Sequence, residues 1–331
     1  MKRIRTAVVG VGHLGRHHLR WLSELPESEL IGLYDIDGAK ARKYADEYRV
    51  SAFDSLDQLA GSVEAVSVVV PTTAHFEVSC HLLERGVHCL IEKPIAATLD
   101  EAERLTSLAT EKGVKVTVGH IERFNPAVQA VCELKACPSF IEAHRLAPFD
   151  PRGADVAVVL DLMIHDIDLA LHLVNSEVTD IQASAVAVVS EQADIANARL
   201  TFANGAVANL TASRISLREM RKIRLFQKSG YYSLDLAKRQ ADLYRLADQD
   251  EPADGMRLPL GSSGKEVVYT RKDDPGVDML RSEISTFLNA VSHDKPVAVT
   301  PAEAVEALRV ALEIERIGRE SLARVMEHQR A

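Results

Sequence analysis

Cysteine is scarce: the four residues Cys80, Cys89, Cys132 and Cys137 show neither C-x-x-C nor metal-site spacing. That excludes a disulfide framework and a cysteine-built zinc site, and reads as reduced core thiols of a cytoplasmic protein. Basic residues do not outnumber acidic ones. With 39 Lys and Arg against 48 Asp and Glu, the net charge is -9 and nothing marks the chain for nucleic acid. No apolar run is long enough to span a bilayer. The segment Met1 to Arg5 leads straight into a strand, which predicts no signal peptide. No internal repeat or long low-complexity tract occurs. What remains is an ordinary soluble composition, 47% hydrophobic and 26% charged, over 331 residues, a length that suits two domains.

The first part alternates strand and helix. Ile4 to Val9 is an apolar strand, Gly10-Val11-Gly12-His13-Leu14-Gly15 follows it, and a helix runs from Arg16 to Leu25. A G-x-G-x-x-G between strand and helix lets the backbone approach a pyrophosphate, whose charge the helix N-terminus favours. The next strand, Leu30 to Tyr34, ends in Asp35, 20 residues after Gly15. An acid at that spacing accepts the two ribose hydroxyls of an adenosine. His17 and His18, adjacent on a helix, face different ways and read as surface or packing residues. Strands follow at Ala65 to Val70, His88 to Ile91 and Val114 to Val118, with helices between them and a capping box at Thr98-Leu99-Asp100-Glu101. This alternation predicts a doubly wound parallel sheet, with ligands at the carboxyl ends of its strands. Two polar loops lie there: Pro71-Thr72-Thr73-Ala74-His75 and Glu92-Lys93-Pro94. Lys93 at a strand end is either a surface lysine paired with Glu92 or a group that stabilises an alkoxide.

The second part is organised around Val159 to Leu173. At about 100° per residue, Asp161, His165, Asp168 and His172 fall on one line of an otherwise apolar helix. A polar stripe on an apolar cylinder either lines a pocket or is a self-satisfied buried pair. Pro148-Phe149-Asp150-Pro151-Arg152-Gly153, just before it, is a candidate pocket wall. Consecutive strands then predict an open, mostly antiparallel sheet in an α+β domain. Ala196 to Ala203, Asn204-Gly205 and Ala206 to Ser213 read as a hairpin with a type I′ turn. Ala247 to Gly264, rich in Asp, Pro, Gly and Ser, reads as a surface loop. Thr300-Pro301-Ala302-Glu303 opens a last amphipathic helix. Arg214, Arg218, Arg221 and Lys222 form a local basic cluster, either a solvated face or a diphosphate clamp. The domains expected are 1–122, dinucleotide-binding, and 123–331, substrate-binding and oligomerising.

Gly10-x-Gly12-x-x-Gly15, Glu92-Lys93-Pro94 and Asp161-x-x-x-His165, in this order, resemble the Gfo/Idh/MocA oxidoreductases over essentially the whole chain. The resemblance implies an N-terminal Rossmann domain that binds NAD through Gly10, Gly12, His13, Leu14, Gly15, Asp35, Pro71, Thr72, His75, Glu92 and Lys93. It implies Lys93, Asp161 and His165 as the catalytic group, and the open sheet face as a subunit interface of a homodimer or homotetramer. Gly119-His120-Ile121-Glu122-Arg123-Phe124-Asn125-Pro126 looks like the branch that oxidises UDP-N-acetylglucosamine at C3. Arg123, Asn125 and Arg214 join Asp161 and His165 as expected substrate contacts.

The expected reaction is NAD-dependent oxidation of a sugar hydroxyl. His165 is the general base, Lys93 holds the same oxygen, and Asp161 either orients His165 or binds a neighbouring hydroxyl. The resemblance implies a pyridoxal-phosphate aminotransferase acting on the ketone product. No metal is expected. Alternatives are an inositol or hexose dehydrogenase, and a cofactor-sensing protein without turnover.

Overall fold

The computed structural model describes residues 3–150, 156–247, 255–274 and 276–330. The chain forms two compact units, Met1–Ile121 with Asp278–Leu308, and Glu122–Val277 with Arg309–Ala331.

The first unit runs β1 (Ile4–Val9), α1 (Gly15–Glu24), β2 (Ser28–Tyr34), α2 (Gly38–Tyr48), β3 (Ser51–Ala52), α3 (Leu56–Ala60), β4 (Ala65–Val68), α4 (Thr72–Glu84), β5 (His88–Glu92), α5 (Leu99–Lys112) and β6 (Val116–Gly119). Its six strands pair in the order β3-β2-β1-β4-β5-β6, and every pairing is parallel. The order reverses between β1 and β4, and such a switch point opens a crevice at the carboxyl ends of the strands. Asp37 caps α2, accepting from Ala39 and Lys40 N–H, and so starts that helix three residues before its apolar pattern. The Thr98–Glu101 capping box of α5 is formed.

The second unit opens on a 3-10 turn, Ile121–Phe124, that begins on the last residue of the first. Then come α6 (Pro126–Glu133), β7 (Phe140–Leu146), a π-helical turn (Val159–Met163), α7 (Ile164–Val174), β8 (Val178–Val186), β9 (Ile195–Phe202) and β10 (Val207–Ser213). After them come β11 (Met220–Gln227), β12 (Gly230–Asp235), β13 (Gln240–Leu246), β14 (Met256–Pro259) and β15 (Glu266–Asp273). The nine strands order as β14-β15-β13-β12-β11-β7-β10-β9-β8, antiparallel throughout except for β7 beside β10. One face buries the alanines Ala143, Ala196, Ala198, Ala208 and Ala212 among Ile141, Leu200 and Leu210, and α7 packs on it over β7 and β10. Alanine brings the helix axis close to the sheet. The opposite face carries a row of rings across five strands, Phe140, Phe226, Tyr231, Tyr244 and Tyr269, with centroids 4.8–5.7 Å apart.

Three expectations are corrected. The chain from 123 onward is not one domain. Helix α8 (Met279–Ser292) returns to the first unit, where Ile284, Phe287 and Leu288 join the core of Val8, Leu19, Leu22 and Leu33. The last helix, α9 (Pro301–Arg330), starts in the first unit and ends in the second, opened by the Thr300–Glu303 box. The β9–β10 turn is not type I′, which needs positive φ at both central residues. Only Gly205 has it, at 86°, and the Gly205 N–H to Phe202 carbonyl bond closes a tight turn followed by a glycine bulge. The Ala247–Gly264 stretch contains β14, paired to β15, while its residues 248–254 and the 151–155 part of the expected pocket wall lie outside the described residues.

Candidate active site

The three motif glycines do different jobs. Gly10 has φ of 89°, and a Cβ there would run into the Val69 carbonyl. A Cβ on Gly15 would strike the Gly10 carbonyl, so that glycine lets α1 start hard against the turn. At Gly12 a Cβ would meet nothing within 4 Å. Only there is the space open, as a pyrophosphate approach requires. Leu14 at the N-cap of α1 makes no side-chain cap. Arg16 N–H turns back to the Gly12 carbonyl and His17 N–H to the Leu14 carbonyl, so what the helix start offers a phosphate is chiefly the positive end of its dipole. His13 and Leu14 are exposed beside it. These residues fit a dinucleotide.

Asp35 also braces the turn itself. Its Oδ2 accepts from Val11 N–H at 2.8 Å and its Oδ1 from Asp37 N–H at 2.9 Å, which ties the glycine turn to the end of β2. A carboxylate has about four acceptor directions, so two backbone bonds leave room for a ribose diol. Lys40 Nζ lies 3.9 Å from Asp35, and Arg42 stands over Gly38.

At the end of β5, the Glu92 carboxylate has a partner in another element. Its Oε1 lies 3.1 Å from His18 Nε2, and its Oε2 accepts Lys93 N–H at 3.3 Å. Burial alone would raise this carboxyl, but the His18 hydrogen bond and the charges of His18 and Lys93 bring it below its ordinary value. Gly119 makes the arrangement possible, because a Cβ there would sit 3.0–3.2 Å from the Glu92 carboxylate. His18, only 1% exposed, thus links the helix of the glycine turn to the strand of Lys93. Sequence reasoning missed it, since nothing local distinguishes it from His17. Lys93 itself is half-buried, and its bond to Pro94 is cis.

Of the β4–α4 loop, Pro71 is exposed, Thr72 is half-buried, and α4 starts without a side-chain cap. His75 is a correction. It is buried, with Nδ1 2.8 Å from the Pro94 carbonyl and Nε2 2.9 Å from the Val70 carbonyl. Burial pulls its pKa down. It braces two loops from behind and is not available to a cofactor.

In the second unit the polar stripe divides. The Ile164 N–H reaches back to the Val159 carbonyl, five residues, so the first turn is wide, a form frequent at functional sites. Asp161 lies in this turn and His165 just after it, and both are half-buried. Asp166 and Asp168 are buried, and each meets a guanidinium. Arg145 of β7 donates from Nε and Nη2 to Asp166 at 3.0 and 2.8 Å, and from Nη1 to Glu122 at 2.9 Å. Burial works against the Arg145 charge, but Asp166 and Glu122 outweigh it and raise its pKa. Burial also lifts the Asp166 carboxyl, despite Arg145.

Arg123 and Asn125 are corrected here. Arg123, 5% exposed, holds Asp168 with Nε at 2.9 Å and Nη2 at 2.6 Å, and its Nη1 donates to His172 Nδ1 at 3.1 Å. Asn125 is fully buried, caps α6 through Ala127 N–H, and donates to Glu122 and the Leu236 carbonyl, both at 3.0 Å. Both side chains are buried within the unit and bonded there. Arg214 is likewise 3% exposed, donating to the Val156 and Ala193 carbonyls with its Nε 3.7 Å from Asp194. It braces the chain that leads into the π turn and does not present a clamp. The rest of the basic cluster separates: Arg221 stands beside Arg145 across the β11–β7 pair, and Lys222 beside His144 on the other face.

Among the described residues no group of His, Cys, Asp and Glu is placed to hold a metal, and no helix is long and apolar enough to cross a membrane.

Comparison with known proteins agrees with this geometry. Residues 4–120 match the oxidoreductase family with NAD-binding Rossmann fold, and residues 142–233 match the GFO/IDH/MocA C-terminal domain. A UDP-N-acetylglucosamine 3-dehydrogenase of Acidithiobacillus ferrooxidans is 39% identical over 315 residues, covering 95% of this chain and 97% of that protein. Its solved structure superimposes with a TM-score of 0.87 over 97% of this chain and 99% of the other. A scyllo-inositol 2-dehydrogenase (NAD(+)) of Bacillus subtilis is 26% identical over 65% of this chain and 68% of its own length. With a glycine turn shaped for a dinucleotide and both domain types matched, the chain belongs to the Gfo/Idh/MocA family of NAD(P)-dependent oxidoreductases.

Proposed function

We propose that the protein oxidises the C3 hydroxyl of UDP-N-acetylglucosamine to the 3-keto sugar, with NAD. The observation that carries this reading is the 39% identity to an enzyme of that activity over 95% of the chain. The inositol dehydrogenase relatives are more distant, at 26–30% identity. Arg123, Asn125 and Arg214 no longer argue for the substrate, because their side chains are spent within the fold.

Gly12 and the start of α1 would hold the pyrophosphate of NAD, and Asp35 its adenosine ribose. NAD, when bound, supplies the hydride acceptor. His165 takes the proton of the C3 hydroxyl as general base. The Lys93 ammonium donates to the same oxygen and stabilises its developing negative charge. Asp161, an acceptor-only carboxylate, fixes either the imidazole N–H or the adjacent hydroxyl. A ketone product suits a pyridoxal-phosphate aminotransferase as the next enzyme, and removal of the ketone draws an unfavourable oxidation forward. The ring-lined sheet face, with no described element over it, serves a homodimer or homotetramer.

The test supplies the protein with NAD, UDP-N-acetylglucosamine, glutamate and a sugar aminotransferase, and reads products by mass spectrometry. A 3-amino sugar nucleotide is expected. Efficient oxidation of a free sugar or an inositol, with no response to any UDP-sugar, would refute the assignment.

A further inference from the structure

The Arg-Phe-Asn-Pro segment and the acids Asp166 and Asp168 of α7 have no part in the chemistry above, yet they place charges deep inside the second unit. Asp166 and Asp168 lie on either side of Ile167 in α7, 3% and 1% exposed. Each is gripped by two nitrogens of one arginine, and the two arginines come from different elements: Arg145 from β7 and Arg123 from the 3-10 turn before α6. The turn is fastened in its own right. Asn125 Nδ2 ties Glu122 to the Leu236 carbonyl after β12, and Gln129 Nε2 donates to the Arg123 carbonyl.

Stability alone does not explain such pairs. Buried ion pairs are often no more stabilising than apolar residues of the same volume, and the best-attested use of buried polar groups is to specify register. The fork of a guanidinium is directional in a way that an alanine face is not. Apart from Arg145, the sheet under α7 offers alanines with Ile141 and Leu210, an apolar surface that lets the helix approach and has no directional contact to fix its rotation. His165 precedes Asp166 directly, and the π turn carrying Asp161 gives up regular α-helical bonding where rotation matters most.

We propose that Arg123 with Asp168, and Arg145 with Asp166, are positioning residues that set the rotation of α7 and so aim His165 and Asp161. The inference rests on the reading of His165 as general base. It makes the Arg123-Phe124-Asn125-Pro126 motif architectural: the motif orients the catalytic helix and does not read the substrate.

The test compares Arg145→Lys, Asp168→Asn and the charge-free double variant Arg123→Met with Asp168→Leu. Four readouts are taken: thermal unfolding, NADH affinity, kcat against KM for the nucleotide sugar, and the ring-proton resonances of His165 assigned with His165→Gln. The double variant is expected to fold, since a whole buried pair is replaced. NADH affinity stays within about twofold and kcat falls about 10- to 100-fold, the scale of a misplacement near 1 Å. The His165 resonances move in all three variants. Unchanged His165 resonances with unchanged kcat in a folded double variant would overturn the proposal, as would a loss of melting temperature alone in the single variants. The resonances need no substrate. If the parent protein oxidises no sugar tried, the substrate assignment fails, while the His165 spectra still decide the positioning role.

Discussion

Replacing Gly12 by alanine separates cofactor binding from folding more sharply than any other change in the glycine turn. A methyl group there meets no protein atom within 4 Å, and the backbone is not in the left-handed region. Gly→Ala at a compatible position stabilises by about 0.4–1 kcal/mol through the unfolded chain, so the melting temperature should hold or rise slightly. The same methyl group projects into the space where the pyrophosphate approaches. Loss of one charge-assisted hydrogen bond from the start of α1 removes about 1.5–3 kcal/mol, which is about 10- to 150-fold in Kd. Gly10→Ala and Gly15→Ala behave differently, because their methyl groups strike backbone carbonyls and both variants should lose stability. Trp21 is the single tryptophan and lies on α1, so energy transfer from it to NADH reports binding directly. An unchanged Kd for NADH in a folded Gly12→Ala protein would refute the placement of the pyrophosphate.

Lys93→Ala and His165→Ala should each lower turnover by about 10²- to 10⁴-fold, with NADH affinity little changed in the His165 variant; near-normal kcat in either removes that residue from the mechanism. Asp35 should favour NAD over NADP, since a 2′-phosphate meets its charge; Asp35→Ala should narrow the difference, although Lys40 and Arg42 nearby soften it, and equal affinities in the parent protein would contradict the assignment. Asp194 tests the acid limb of stability. Burial works to raise its carboxyl, but donation from Ser190, Val189 and Val188 brings it down to about 2. A group depressed in the folded state stabilises above its unfolded pKa near 4, and that contribution disappears as pH falls toward 2. Asp194→Asn should therefore lower stability near neutrality and flatten its decline between about pH 4 and 2, read by denaturant melts across that range; an unchanged slope would mean the carboxylate is not held this way.

How much of this was legible in the chain depends on whether a residue's environment is local. The glycine turn, Asp35 and the two capping boxes are set by neighbours a few residues away, or by a fixed spacing along a strand–helix unit, and they stand where the sequence put them. The fold class followed from strand–helix alternation and from consecutive strands. The return of 278–308 to the first unit did not, since an apolar helix face does not say which surface it will cover.

Partnership between charges is the hardest thing to read, because it is decided by tertiary neighbours. His18 and Glu92 are 74 positions apart, and Arg145 and Asp166 are 21 apart. The periodic line of Asp161, His165, Asp168 and His172 was correct about a shared face only for a regular helix with nothing laid against it. The π turn alters the geometry at one end, and Arg123 closes the other. One clue was present in the chain. In β7 the buried positions alternate as Ile141, Ala143, Arg145, so an arginine falls where the strand faces the core. A charge at such a position demands a buried partner of opposite sign. The helix that follows offers Asp166 and Asp168 among its apolar residues. Tracing that demand first would have separated the structural acids from Asp161 and His165, and would have removed Arg123 from the substrate contacts. An arginine in a motif resembling a sugar-nucleotide branch invites a phosphate. In this fold the nearest unmet negative charge is inside the protein, and the buried carboxylate takes the guanidinium.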